Sequence, residues 1–302
     1  MAASWAWGTS LVVGMEIVQT RGTVPFVIWA TANSLAIPVF GLLARRLKNF
    51  YEVVNSKPVM VFTTCVQVFC IWIQMNAIYQ YLGIAGVSDF WCKAVPIIVA
   101  GLFLIILYKD GLLKAIATDN PIWYGVYGLL VVLVILAFTL NVPTHNIVSV
   151  NSSSDIGWAL YTAVVLFSGP IMGIPFWQYF DRCKADGKLE AFNWAGVFFA
   201  LYTVLIYILA HFSFEHSMMI WILVACIFLV AISSINSAVV AMQKLAGYKV
   251  GFGISACAIA GWQIVIPLGV MGLWLTMGTA RIYVSIICII VALAWSYKQH
   301  KK

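Results

Sequence analysis

Long runs of apolar residues alternate with short polar segments along the whole chain, and this pattern predicts ten membrane-spanning helices. The runs lie near residues 4–20, 24–44, 58–82, 91–108, 122–140, 157–179, 193–212, 218–241, 252–275 and 280–297. Each is close to the roughly 20 residues that a helix needs to cross the hydrocarbon core. Continuous runs favour helices over the alternating pattern of a β-barrel. We therefore expect an all-α, polytopic membrane protein with a single transmembrane domain over residues 1–302.

The composition agrees with this pattern. Of the 302 residues, 63% are hydrophobic and 9% are charged, and the mean hydropathy is +0.99, far above the values of soluble domains. The cysteines and histidines do not show the spacing of a metal centre. No clustered histidines, cysteines or paired carboxylates lie near the predicted membrane surface. We therefore expect no enzymatic activity and no cofactor.

Basic residues are distributed unevenly over the predicted connections. Fourteen lie in alternate connections and the C-terminal tail, whereas only Arg21, Lys93 and Arg281 lie in the others. This asymmetry follows the positive-inside rule and predicts that both termini are cytoplasmic, in a cell membrane of the inner or plasma type. The net charge of +7 is then explained by the orientation of the chain in the membrane. We therefore expect the lipid bilayer and not nucleic acid as a partner. The oligomeric state is left open.

The number of spans has a further consequence for symmetry. Five spans in each half give the second half the opposite direction through the membrane, as an inverted repeat requires. We expect the two repeats at about residues 1–140 and 157–297.

Span 6 contains two clusters of helix-breaking residues, Ser168-Gly169-Pro170 and Gly173-Ile174-Pro175. Broken helices in transporters expose backbone carbonyls to ions and helix ends to the solute. A proline kink packed between neighbouring helices is the alternative interpretation. Span 1 corresponds to span 6 in the first half and contains Gly14 and Glu16, so we predict a second break there.

Polar residues within the spans are candidates for a transport site. Glu16 is the one acid predicted deep within a span, at a cost of about 3 kcal/mol, and this cost favours a functional role over an ion pair with Arg21. Gln67 and Gln74 are seven residues apart and share one face of span 3. They predict a polar pathway, with interhelical hydrogen bonds as the alternative.

Four separated stretches together resemble the sodium/solute symporter family. They are ATANSLAIPVFGLLARRLKNFYEVV (30–54), LYKDGLLKAIATDN (107–120), GIPFWQYFDRCKADGKLEA (173–191) and LVAISSINSAVVAMQKLAG (229–247). Their order and spacing match that family over most of the chain. The resemblance implies the ten-helix inverted-repeat core of leucine-type transporters, with broken helices 1 and 6 and shortened at both ends.

The resemblance also implies an ion site. Ser233 and Ser234 fall where the family places two sodium-ligating hydroxyls, with the carbonyl of Val230 one turn earlier. Span 1 would supply further carbonyls near Val13 and Glu16. Serines in membrane helices also commonly bond to their own backbone, which is the alternative.

Other residues are predicted along the path of ion and solute. Asp119, at the cytoplasmic end of span 5, matches a family position, and the resemblance implies that it lies on the exit route of the ion. The resemblance implies that Gln19, Asn33 and Trp177 line the solute cavity, and Glu16 and Gln67 are further residues expected to contact the solute.

These expectations define a function. They predict secondary active transport, in which a small organic solute enters with sodium by alternating access. A carboxylate at Glu16 favours an amino acid or amine as the solute and leaves a proton as the alternative coupling ion. A sensor or structural membrane protein on the same scaffold, which binds without turnover, is the alternative function.

Overall fold

Helices account for nearly all of the described chain. The structure is a computed structural model that describes residues 8–46, 52–54, 56–106, 111–144, 152–214 and 217–300. The helices are α1 Gly8–Arg21, α2 Thr23–Arg46, α3 Lys57–Ile84, α4 Asp89–Ile106, α5 Gly111–Thr139, α6 Ser153–Ile171, α7 Ile174–Ala185, α8 Ala191–Leu209, α9 Ser217–Ala246, α10 Tyr248–Gly261 and α11 Gly269–His300. A 3-10 helix, Trp262–Leu268, joins α10 to α11.

Seven stretches of helix within the described residues are long and apolar enough to cross a membrane, and the bent pair α6 and α7 forms an eighth. The protein is therefore a multi-pass α-helical membrane protein. The count is lower than the predicted ten for two reasons. Helix α1 has only 14 described residues, about 21 Å against a hydrocarbon core of about 30 Å. The stretch from Tyr248 to Trp295 is counted once.

The outward faces of the helices are apolar, as a lipid environment requires. Large apolar side chains at helical spacing are about half exposed, including Ile98, Leu102 and Ile105 on α4. Polar side chains such as Gln67, Asn236 and Arg281 are instead buried inside the bundle. Because lipid offers no hydrogen bonds, polar groups must find their partners within the protein.

The helices pack in two groups. In the first group α2 contacts α1, α6 and α8, and α8 also contacts α1. In the second group α3, α4, α9 and α10 all contact one another. Helix α9 lies at the centre, because it also contacts α1, α5 and α7 and every residue from Ser233 to Gln243 is buried. Helix α5 packs on α8 and α9, and α11 packs on α1, α3 and α6.

The predicted connection between spans 9 and 10 is wrong in position. It was expected near residues 276–279, but α11 runs through this segment without interruption. The α-helical pattern is interrupted earlier, where the 3-10 helix contains Pro267 and is followed by Gly269 with a φ of 64°. Gly278 serves packing instead, since a Cβ there would collide with Val165 of α6.

The predicted break in span 1 is likewise absent from the described residues. Helix α1 is continuous across Gly14 and Glu16. A Cβ at Gly14 would lie 2.8 Å from Ile206 Cγ2 on α8 and 3.2 Å from the Trp29 ring on α2. Glycine at this position therefore allows three helices to approach closely.

A second close contact joins α2 and α8. Pro38 lies within α2 and has no N–H to donate to the carbonyl of Ser34 one turn earlier. Gly196 of α8 packs directly against this carbonyl, and a Cβ at Gly196 would lie 2.5 Å from Ser34 O and 2.6 Å from Pro38 Cγ. The backbone therefore cannot accommodate a larger residue without moving one of the helices.

We predict that Gly196→Ala lowers the free energy of unfolding by about 1–3 kcal/mol, because the added methyl group overpacks the contact. Gly128→Ala on α5 is the matched control, since a Cβ there meets nothing within 4 Å. The control should be neutral or more stable by up to about 1 kcal/mol. Thermal unfolding of both purified variants in detergent measures the difference, and equal melting temperatures would contradict this account of the contact.

Candidate functional site

The predicted break in span 6 is confirmed. Helix α6 ends at Ile171, α7 begins at Ile174, and the two helices are bent by 56°. Pro175 cannot donate a hydrogen bond to the carbonyl of Ile171 because it has no N–H. The indole Nε1 of Trp177 donates to this carbonyl instead, at 2.8 Å. The side chain thus replaces the missing backbone donor.

Trp177 was predicted to contact the solute. In the structure its side chain packs between helices and stabilises the break. Its ring is buried and meets Phe40 of α2 edge to face, with 4.8 Å between the ring centroids. This packing and the bond to Ile171 hold the start of α7 against α2. Contact with a solute stays a prediction.

A buried polar cluster joins three helices near the cytoplasmic side of the predicted topology. The Ser233 hydroxyl of α9 donates to Asp119 Oδ1 of α5 at 2.6 Å. The Tyr179 hydroxyl of α7 donates to Asp119 Oδ2 at 3.5 Å. Asp119 is only 3% exposed. We name Asp119, Ser233 and Tyr179 the carboxylate cluster.

The other predicted sodium ligands lie beside this cluster. The Ser234 hydroxyl donates to the carbonyl of Val230 at 3.1 Å, which is the backbone bond common for serine in helices. Val13 is buried on α1, which packs against α9. Because α1 is unbroken there, the free carbonyl expected at Val13 is not found.

Glu16 is less buried than predicted. It is partly exposed, whereas Asp119 is the more deeply buried acid. Arg21, the alternative partner of Glu16, binds Asp155 at the start of α6 at 2.8 Å and stacks over Trp158. The Glu16 carboxylate makes no hydrogen bond or ion pair with the residues that the structure describes.

Three further polar residues connect helices or turns. Gln19 donates to the carbonyl of Ala210 at the end of α8, and Asn33 donates to the carbonyl of Trp29 within α2. Asn76 of α3 accepts a 2.7 Å hydrogen bond from the buried indole of Trp262. The last bond shows that part of the polar face of α3 holds the bundle together.

Gln67, in contrast, borders a cavity at the break. The described lining residues of this central cavity are Gln67, Cys70, Gly173, Pro175, Phe176, Ser234, Ser237, Ala238 and Arg281. About 20 Å³ of the cavity is open to the centre of a water molecule, which is room for about one water or monatomic ion. The cavity thus lies between α3, α7, α9 and α11.

Arg281 is the residue that sequence reasoning misplaced. It was counted among the external connections, but it lies about three turns inside α11 and is 4% exposed. Its Nη2 approaches Cys70 Sγ at 3.6 Å. The absence of any other charged residue between positions 250 and 297 was the available signal for a buried position.

Asp119 also borders a groove on the surface. The described lining of this inner groove includes Asn120, Trp123, Lys188, Glu190 and Trp194. The carboxylate therefore lies between the groove on one side and Ser233 on the other. That Asp119 lies on an ion exit route stays a prediction.

The donor atoms around the carboxylate cluster are hard oxygens, namely a carboxylate, hydroxyls and a backbone carbonyl. Hard alkali and alkaline-earth cations prefer such ligands. Within the described ranges, no group of three or more His, Cys, Asp or Glu side chains could hold a metal ion.

No protein-family model matches this sequence, and no curated protein is significantly similar to it. The resemblance to the sodium/solute symporters therefore rests on the four stretches alone. The fold and the buried polar residues define a helical membrane protein with a broken span.

We predict that Trp177→Phe destabilises the protein by about 1–2 kcal/mol, because the Ile171 carbonyl loses its donor in a buried position. Trp194→Phe is the control, since Trp194 is 61% exposed and should change stability little. Thermal unfolding in detergent compares the two variants. If Trp177→Phe has the same melting temperature as the wild type, the hydrogen bond from the indole does not stabilise the break between α6 and α7.

Proposed function

We propose that this protein is a sodium-coupled symporter of a small organic solute that works by alternating access. The observation that carries the proposal is the hydrogen bond between Ser233 and Asp119, which puts a buried carboxylate beside the serines of α9 inside the helix bundle. A buried ionisable side chain inside a membrane protein commonly marks an ion path. The carboxylate and hydroxyl oxygens of the cluster are also the hard ligands that an alkali cation prefers.

The packing of the helices supports an inverted repeat of ten spans. In such a repeat α1 to α5 would correspond to α6, α8, α9, α10 and α11, with α7 as the second half of the broken span. Helix α2 packs on α6, and α8 correspondingly packs on α1. Helix α5 packs on α9 as α11 packs on α3, and α3 packs on α4 as α9 packs on α10.

The sodium ion would bind at the carboxylate cluster. Asp119 and Ser233 would supply charged and hydroxyl oxygens, and Ser234 with the Val230 carbonyl would complete the site after a rotation of the Ser234 side chain. Release would follow the inner groove that Asp119 borders. Asp119 could carry a proton in place of sodium, so the coupling ion is an outcome of the test.

The solute would bind at the break between α6 and α7, next to the ion. The group of α1, α2, α6 and α8 would rock against the group of α3, α4, α9 and α10 to alternate access. Glu16 and Gln19 would face the solute path from α1. An amino acid remains the favoured solute class.

A non-transporting sensor is the second candidate, and the small size of the central cavity favours it. A cavity with room for about one water or ion holds an ion without a solute. A closed intermediate of a transporter would have the same small cavity.

We predict that Asp119→Asn and Ser233→Ala each weaken sodium binding on the order of tenfold or more, because each removes an oxygen ligand or its charge. Scintillation binding of sodium-22 to the purified protein, with potassium as competitor, measures the effect. Ser255→Ala is the matched control, since the buried Ser255 bonds to the Gly251 carbonyl on α10. Unchanged sodium affinity in both site variants would refute the cluster as the ion site.

Turnover is tested in proteoliposomes with an inward sodium gradient and a carbon-14 amino-acid mixture. A symporter accumulates label above its external concentration, and collapse of the sodium gradient abolishes this accumulation. Accumulation driven by a proton gradient alone would identify the proton, and not sodium, as the coupling ion. Sodium binding without any accumulation would favour the sensor.

A further inference from the structure

A positively charged side chain is buried in the middle of the bundle. Arg281 is 4% exposed, yet its guanidinium remains charged at any accessible pH. A charge inside a membrane protein is costly and usually marks a cavity or a ligand path. Arg281 borders the central cavity at the break between α6 and α7.

The described lining of this cavity contains hydrogen-bond donors and no acidic side chain. Ser234 and Ser237 carry hydroxyl groups, Gln67 carries an amide, and Arg281 carries the planar fork of N–H donors. Gly173, the N-cap residue of α7, lines the cavity together with Phe176 of the first turn. The positive end of the α7 dipole therefore adds to the charge of Arg281.

We propose that Arg281 and the central cavity form an anion site that binds the carboxylate group of the solute. The guanidinium fork matches a carboxylate with two parallel hydrogen bonds, which a spherical ion cannot accept in the same way. The present cavity admits about one small ion. The carboxylate therefore enters when α7 moves away from α3 and α9.

The cavity and the carboxylate cluster share one boundary. Ser234 lines the cavity, while the adjacent Ser233 donates to Asp119. A cation near Ser234 would be repelled by Arg281 unless an anion lay between them. Carboxylate and cation would thus each favour the binding of the other. This mutual effect depends on the proposed symport, whereas the anion site itself does not.

The test uses the full-length protein in detergent at constant sodium concentration, with sodium HEPES as the bulky-anion baseline. Acetate should raise the melting temperature in a saturable manner, and acetamide, its neutral analogue, should not. Arg281→Gln should weaken acetate binding on the order of tenfold or more. Arg281→Lys, which keeps the charge without the fork, should be intermediate. Arg45→Gln, at an exposed position, is the control and should match the wild type.

Each result decides the proposal. Equal shifts with acetate and acetamide in the wild type would overturn it without any variant. An unchanged acetate affinity in Arg281→Gln would overturn the role of Arg281. A chloride shift equal to that of acetate would overturn the carboxylate assignment in favour of a simple halide site.

The same variants separate this proposal from the proposed function. Acetate binding that depends on Arg281, together with no sodium-driven uptake, would uphold the anion site and refute symport. Sodium-driven uptake that is unchanged in Arg281→Gln would uphold symport and refute the proposal that Arg281 binds the carboxylate of the transported solute.

Discussion

A backbone carbonyl inside a membrane protein must find a donor within the protein, and the rest of the site depends on how the Ile171 carbonyl finds one. Pro175 removes the expected backbone donor, and the indole of Trp177 replaces it. Because that bond fixes the start of α7, the break places Gly173 at the central cavity. One turn further along α7 than Pro175, Tyr179 reaches Asp119. A single hydrogen bond thus sets the geometry of two polar regions.

Two buried groups of opposite charge lie on either side of the serines of α9. Asp119 is held by Ser233 towards the inner groove, and Arg281 borders the central cavity beside Ser234. The interior of the bundle has a low effective dielectric constant, so each charge acts over a longer range than at a protein surface. A cation at one end and an anion at the other would both find favourable fields. The two buried charges are therefore separated within the bundle, with the negative charge of Asp119 towards the inner groove and the positive charge of Arg281 at the central cavity.

The sequence allowed a good prediction of the apolar spans and of the break in span 6, because long apolar runs and paired Gly-Pro clusters are local signals. It failed where the same residue type serves two purposes. Gly14 and Gly278 were taken as sites of a break or a connection, yet both allow close packing against a distant helix. The pairing of Ser233 with Asp119 joins residues 114 positions apart, a relation that no periodicity contains. Arg281 was counted with the external connections because a connection was predicted at residues 276–279, directly before it.

Helix α7 has a mechanical consequence that follows from its length and its two ends. Its 12 residues make a rod of about 18 Å, and a rotation of about 10° at the bend would displace the far end by about 3 Å. That end leads directly into the segment with Lys188 and Glu190, which border the inner groove. A small rotation at the bend near Gly173 therefore becomes a displacement as wide as a water molecule at the end of α7 that leads to the inner groove.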